Sequence, residues 1–133
     1  MEPGISFRSV WAGRILSGLA VSFLLFDSII KLIRITPVLD SFGRLGYPVH
    51  LSVGIGILEL ACVALYLARP VSVPGAVLLT GLLGGAVASH VRIGDPLFSH
   101  VLFPTYVGTL LWVGLFLRDD RLRTLLTRKG ALR

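Results

Sequence analysis

The chain has 133 residues, of which 54% are hydrophobic and 15% charged, with a formal net charge of +6 and a mean hydropathy of +0.84. Soluble globular domains contain about 45–50% apolar and about 25% charged residues, so this composition excludes a disordered chain, a disulfide scaffold and a conventional soluble enzyme. The basic residues border apolar runs instead of clustering with aromatic side chains on one polar surface, so no nucleic-acid partner is expected. The composition favours a small integral membrane protein.

Four apolar runs follow one another along the chain, at 10–33, 50–68, 72–92 and 101–117, before a short basic tail at 118–133. Each run can cross about 30 Å of hydrocarbon at about 1.5 Å per helical residue. Spanning segments of this kind must satisfy their own backbone hydrogen bonds and are therefore helices. The sequence predicts an all-α, single-domain, multi-pass membrane protein: a four-helix up-down bundle in contact with the lipid bilayer.

The ends of these runs carry recognisable signals. Pro70 prevents the second run from continuing as a helix, and Gly94-Asp95-Pro96 is typical of a turn. The first run lacks a small-residue cleavage site, so we interpret it as a retained helix and not as a signal peptide. We expect the tail to form an interfacial helix or a frayed end.

The distribution of Lys and Arg predicts the orientation. With four spans, nine of these residues lie on the side of the two termini and the second loop, and four lie on the opposite side. The positive-inside rule then places both termini in the cytoplasm, for a protein of the cytoplasmic (inner) membrane.

Small residues on the third run predict close helix packing. Gly81 and Gly85 form a G-x-x-x-G pair, which Gly84 and Ala88 extend. Such faces let helix backbones approach closely in a bilayer. We expect this face in the core of the bundle, with close backbone contact along Gly81, Gly85 and Ala88; self-association through the same face is the alternative.

Glu59 is the polar residue that the sequence places deepest in the membrane. It lies nine residues after His50, about 13 Å along a helix. A carboxylate at that depth must be protonated or paired. Lys31 and His90 are the candidate partners, and the reach between helices favours His90. The residue serves either as a structural hydrogen bond or as a contact for a proton, a quinone or a substrate.

Other polar side chains are expected near the same outer half of the bundle. Asp27 and Lys31 are spaced i, i+4 and therefore share one face of the first helix. The predicted polar intramembrane pocket comprises Asp27, Lys31, Glu59, His90, Arg92 and Tyr106.

The chain lacks the common catalytic and metal-binding motifs. It has no H-E-x-x-H, no glycine-rich phosphate loop and no G-x-S-x-G, and its three histidines do not favour a haem or metal site. We therefore assign no catalytic residue, no metal ligand and no cofactor bound by the chain itself. Cys62 has no second cysteine for a disulfide and is interpreted as a small core residue.

Several segments together resemble the DoxX-like family of small four-span membrane proteins. They are Phe26-Asp27-Ser28-x-x-Lys31, Leu45-Gly46-Tyr47-Pro48, Gly56-Ile57-Leu58-Glu59-Leu60, Leu79-Thr80-Gly81, Gly84 through Arg92, Leu102-Phe103-Pro104 and Leu117-Arg118-Asp119. The resemblance covers nearly the whole chain and implies a four-helix bundle in the cytoplasmic membrane. The family takes its name from membrane subunits associated with quinone-linked oxidation of sulfur compounds, whereas related thiol-redox membrane folds use paired cysteines that this chain lacks.

Three functions are compatible with these features. The first is a membrane subunit of a quinone-linked redox system, acting with a catalytic partner subunit and contacting quinone through Glu59, Lys31 and His90. The second is a small self-oligomeric transporter or permease that uses the same pocket. The third is a non-catalytic scaffold or assembly factor. The redox-linked role is the preferred hypothesis.

Overall fold

The structure is a computed structural model and describes residues 6–127. These residues form six α-helices and no strand. The helices are α1 (Phe7–Leu32), α2 (Thr36–Leu45), α3 (Leu51–Leu67), α4 (Ser72–Arg92), α5 (Phe103–Arg118) and α6 (Asp120–Thr127). A single 3-10 turn (Arg69–Val71) leads into α4, and a π-helical turn (Leu97–Val101) leads into α5. The prediction of an all-α fold is confirmed.

The four long helices pack side by side around one apolar core. Helix α1 contacts α3 and α5, and α4 contacts the same two helices, so each long helix has two neighbours. The largest fully buried apolar side chains in this core are Leu24, Leu79, Leu111, Leu115 and Tyr66. This arrangement leaves an interior between α1, α3, α4 and α5 to which all four helices contribute.

The outside of the helices is apolar, as a bilayer requires. Phe26, Ile29, Val77 and Leu78 are each at least half exposed in the isolated chain. The segments Phe7–Leu32, Arg69–Arg92 and Leu97–Arg118 are long and apolar enough to cross a membrane, and Leu51–Leu67 is apolar but shorter. The protein is therefore membrane-embedded.

Helix α2 occupies the connection between the first two apolar runs, where no helix is predicted from the sequence. Pro37 lies in its first turn, where a missing N–H costs nothing, and Gly46 ends it with φ +79°. Val38 and Phe42 are its buried residues and lie one helical turn apart. This short amphipathic helix covers the end of the bundle where the polar residues of α1, α3 and α4 meet.

Helix α6 forms the first part of the basic tail. The Asp119 side chain accepts hydrogen bonds from the backbone N–H groups of Arg121 (2.9 Å) and Leu122 (3.4 Å), and so caps the helix. Leu122 is buried against the main core. Helix α6 thus packs on the bundle, while the last part of the expected tail, 128–133, lies outside the described residues.

The small-residue face of α4 does not make the close contact that its spacing predicts. A Cβ atom added at Gly81, Gly84 or Gly85 would have no neighbour within 4 Å, and Ala88 is exposed. The physical reason is that G-x-x-x-G spacing places small residues on one helix face without determining what that face meets. In the described chain, this face turns away from the neighbouring backbones.

The closest backbone approaches lie elsewhere. A Cβ atom at Gly75 would lie 2.4 Å from the Tyr66 backbone nitrogen, and one at Gly114 would lie 2.8 Å from the Ser17 backbone nitrogen. A Cβ atom at Gly13 would lie 2.7 Å from the Gly114 carbonyl oxygen. Glycine is therefore required where α3 turns into α4 and where α5 crosses α1.

Candidate functional site: a polar cluster in an interhelical cavity

Three charged side chains from two helices form one cluster. The Lys31 Nζ donates to Asp27 Oδ2 on the same helix (2.5 Å) and to Glu59 Oε2 on α3 (2.7 Å). Glu59 is 1% exposed, whereas the Asp27 side chain is 29% exposed. We call these residues the Asp27–Lys31–Glu59 triad. It joins α1 to α3 in the interior of the bundle.

Glu59 bonds Lys31 and not His90, so the expectation that His90 is the nearer partner is wrong. Helix α3 approaches α1 closely at Gly56, where an added Cβ atom would lie 3.1 Å from the Lys31 Cβ. Glu59 follows Gly56 by three residues and therefore lies about one helical turn further along nearly the same face. The Lys31 side chain thus needs to span only the tight α1–α3 contact, while His90 has a different partner.

The triad lies at the wall of a cavity of about 530 Å³. Helices α1, α3, α4 and α5 surround this cavity, and α2 contributes its inward-facing residues Val38, Ser41, Phe42 and Leu45. Most of the wall is apolar; the ionisable side chains in it are Asp27, Lys31, Tyr47, Glu59 and His90. An apolar cavity with a few convergent polar groups is the usual form of a small-molecule site.

Gly85 of the small-residue face also lines this cavity. Because an added Cβ atom there would contact nothing within 4 Å, its lack of a side chain leaves volume in the cavity instead of admitting another helix. Gly84 lines a separate groove of about 400 Å³ between α4 and α5, together with Thr80, Gly108 and Trp112.

A second polar cluster lies beside the cavity where α4 ends. The His90 Nδ1 and the Asp95 Oδ2 are 2.5 Å apart, and the Arg44 Nη1 donates to Asp95 Oδ1 at 2.6 Å. The hydrogen bond with His90, followed by the contacts with Arg44, holds the pKa of Asp95 below its ordinary value. This cluster fastens the last turn of α2 to the loop after α4.

Tyr47 and Arg92 complete the attachment of α2. The Tyr47 hydroxyl and the Ser89 Oγ are 2.7 Å apart, and the Ser89 hydroxyl lies 2.8 Å from the Gly85 carbonyl oxygen. The Arg92 Nη2 donates to the Leu45 carbonyl, and its guanidinium lies 5.7 Å from the centre of the Tyr47 ring. Arg92 therefore secures the end of α2 and does not line the cavity.

Tyr106 also lies away from the triad. Its hydroxyl donates to the Phe98 carbonyl oxygen at 3.1 Å, and the residue is 46% exposed. Of the six predicted pocket residues, the cavity brings together Asp27, Lys31, Glu59 and His90, whereas Arg92 and Tyr106 lie outside its wall.

The contribution of α2 to the cavity was not among the sequence predictions. Pro37, Val38, Ser41, Phe42 and Leu45 all line it. The spacing of Val38, Phe42 and Leu45 is that of one helix face, and a proline at the start with a glycine at the end is a helix signal. These signals are present in the sequence but lie in a segment that is too short to span a membrane.

Comparison of the chain with models of known protein families identifies its family. A model of the DoxX-like family matches residues 15–114, which is three quarters of the chain and includes the triad, α2 and the cavity wall. The chain belongs to the DoxX-like family. A search of curated proteins finds no significant match, and a search of solved structures finds none either. The predicted resemblance is thus confirmed.

Within residues 6–127 of this DoxX-like chain, no three His, Cys, Asp or Glu side chains are grouped closely enough to hold a metal ion. The cavity wall itself carries hydrogen-bond donors and acceptors. Lys31 is a donor, and the carboxylates of Asp27 and Glu59 are acceptors; when the His90 Nδ1–H donates to Asp95, the His90 Nε2 is an acceptor as well.

Proposed function

We propose that this DoxX-like protein is a four-span bundle that binds a quinone-type ring in its cavity, as an accessory subunit of a redox system. The observation that carries the proposal is the position of the Lys31 ammonium, which lies between two carboxylates at the wall of an apolar cavity. The ammonium has three N–H donors, and two of them are occupied. The third is available to a carbonyl oxygen of a ligand.

The remaining wall fits a flat lipophilic ring. Phe23 and Phe103 pack edge to face at 5.0 Å between ring centres, and both line the cavity. His90, also in the wall, bonds Asp95 through Nδ1 and has no hydrogen-bond partner at Nε2 within residues 6–127. A quinone carbonyl oxygen can accept from the third N–H of Lys31, and a hydroxyl of the reduced ring can donate to the His90 Nε2, which is an acceptor when Nδ1–H donates to Asp95. A partner subunit supplies the electron acceptor or donor in this role.

We also propose that the bundle crosses the membrane four times. Helix α3 has 17 residues and spans roughly 26 Å at 1.5 Å per residue, slightly less than the hydrocarbon core. Its packing against both α1 and α4, which are longer, supports a full crossing. Alternate helices then run in opposite directions, both termini lie in the cytoplasm by the positive-inside rule, and the cavity opens toward the outer half of the inner membrane.

The proposed ligand is tested with a substitution that fills the cavity and leaves the triad unchanged. We expect Gly85→Leu to weaken binding of decylubiquinone about tenfold or more, because the leucine side chain enters the cavity. The protein is studied in lipid nanodiscs, with empty nanodiscs subtracted. Gly81→Leu is the matched control, since Gly81 lies on the same helix, is equally open and lines neither this cavity nor the groove between α4 and α5. Equal binding by the parent and both variants, or no binding by the parent, would contradict the proposal.

A further inference from the structure

The Asp27–Lys31–Glu59 triad contains two carboxylates and one ammonium. With all three groups ionised its charge is −1. Lys31 bonds one oxygen of each carboxylate, and no other hydrogen bond reaches Asp27 or Glu59 from residues 6–127. An uncompensated negative charge in an apolar interior is costly, so this environment favours a proton on the triad.

The other charged and titratable groups around the cavity do not compensate this charge. His90 on α4 is engaged by Asp95, whose carboxylate also binds Arg44. Arg92 covers the ring of Tyr47 and does not line the cavity. Tyr47 lies in the wall beyond α2, and Cys62 is buried on α3 about one turn from Glu59. The residues of α5 in the wall are Phe103, Pro104 and Val107, which carry no charge.

Aromatic side chains complete the chemistry of the wall. Phe23 pairs with Phe103, and Phe42 pairs with Tyr47 at 6.4 Å between ring centres. All four rings line the cavity. Aromatic faces attract organic cations, and the attraction is stronger where water is excluded. A negative group beside aromatic rings in an apolar cavity is the environment that such a cation prefers.

We propose that this cavity also binds a lipophilic organic cation, and that entry of the cation displaces the proton held by the triad. The exchange is balanced: the protonated triad and the cation become the triad–cation pair and one proton in solution, and no bond other than that to the proton is broken. The inference requires that the cavity admits a ligand, as in the proposed function, but it does not require that the ligand is a quinone.

The test uses tetraphenylphosphonium as the cation and nanodiscs of zwitterionic lipid. We expect its affinity for the parent protein to rise about tenfold per pH unit while the triad holds its proton, because cation and proton compete for one site. Binding in weakly buffered solution should release about one proton per cation. Binding that is independent of pH and releases no proton would overturn the proposal.

Two variants test whether cation binding depends on the triad or on the general attraction between the cation and negative charges of the protein. Asp27→Asn and Glu59→Gln each leave one carboxylate opposite Lys31, so each should weaken tetraphenylphosphonium binding about tenfold or more and abolish proton release. Asp27 is partly exposed, so Asp27→Asn serves if Glu59→Gln folds poorly. Asp40→Asn is the matched control, because Asp40 is an exposed carboxylate on α2 outside the cavity wall. Unchanged binding in both triad variants, or an equal loss in Asp40→Asn, would contradict the inference.

Decylubiquinone binding in the same nanodiscs separates the two proposals. If the neutral quinone binds and the cation does not, only the cation inference fails. If the cation binds with proton release and the quinone does not, only the quinone function fails.

Discussion

Gly56 and Lys31 face each other where α3 crosses α1, at a distance that is tight for any side chain at Gly56. An added Cβ atom would lie 3.1 Å from the Lys31 Cβ and 3.1 Å from the Ser28 carbonyl oxygen. This contact sets the separation of the two helices one turn away from Glu59. The short Lys31–Glu59 hydrogen bond therefore depends on a glycine that forms no hydrogen bond with either residue.

We expect Gly56→Leu to destabilise the protein by about 1–3 kcal/mol, because the larger side chain forces α3 away from α1. The same movement lengthens the Lys31–Glu59 contact and should reduce ligand binding at the cavity. Thermal unfolding in detergent provides the measurement. Gly54→Leu is the control, since Gly54 lies on the same helix with no neighbour within 4 Å. Equal midpoints for the two variants would show that the α1–α3 contact is not tight.

Substitutions at Glu59 distinguish its hydrogen bond from its charge. Glu59→Gln keeps an acceptor for the Lys31 ammonium, so we expect its stability to stay within about 1 kcal/mol of the parent. Glu59→Leu removes the acceptor and leaves Lys31 with Asp27 alone, which should cost about 1–3 kcal/mol. The unfolding midpoints of both variants test this order. The structural role fails if Glu59→Leu is as stable as Glu59→Gln.

The attachment of α2 should weaken in acid. Because the folded-state pKa of Asp95 is lowered by His90 and Arg44, its stabilising effect is complete above the ordinary aspartate pKa of about 3.9 and is lost as the pH falls through the lower folded value. We expect Asp95→Asn to lower the unfolding midpoint at pH 7, with the difference from the parent shrinking below pH 4. A difference that stays constant from pH 7 to pH 3 would contradict this assignment. Asp40→Asn, which removes an exposed carboxylate from α2, is the control.

Single-cysteine labelling tests the proposed topology. In a Cys62→Ser background, cysteines at Gly43 and Ser99 should react with an impermeant maleimide from outside, and cysteines at Arg69 and Thr127 should react only after permeabilisation. All four positions are exposed in the structure, so access depends on the membrane and not on burial. Labelling of a cysteine at position 69 or 127 from outside would show either that the orientation is the opposite one or that α3 does not cross the membrane.

The sequence predicted the helical runs well because length and apolar composition decide them. The predicted run at 72–92 coincides with α4, and the run at 50–68 differs from α3 by one residue at each end. The presence of Asp27, Lys31 and Glu59 in one polar pocket was also predictable, since each charge in an apolar run needs a partner. Which of these groups bonds Glu59 was not predictable, because the close approach of α1 to α3 at Gly56 depends on tertiary packing.

Two features depended on tertiary packing that spacing alone cannot supply. The G-x-x-x-G spacing at Gly81 and Gly85 is real, but Gly85 faces a cavity and Gly81 has no neighbour. The packing glycines are Gly75 and Gly114, whose neighbours Tyr66 and Ser17 lie on other helices. Helix α2 was missed because a ten-residue amphipathic segment between spans gives no membrane signal.

The division of the triad between two helices has a consequence for biogenesis. Asp27 and Lys31 lie one turn apart on α1, so the first helix enters the bilayer with its two opposite charges already able to neutralise each other. Glu59 emerges from the ribosome later, on the 17-residue helix α3, and its partner is by then already in the membrane. We therefore expect α1 to assist the insertion of α3, and a nascent chain that lacks Lys31 to lose that assistance when α3 enters the lipid.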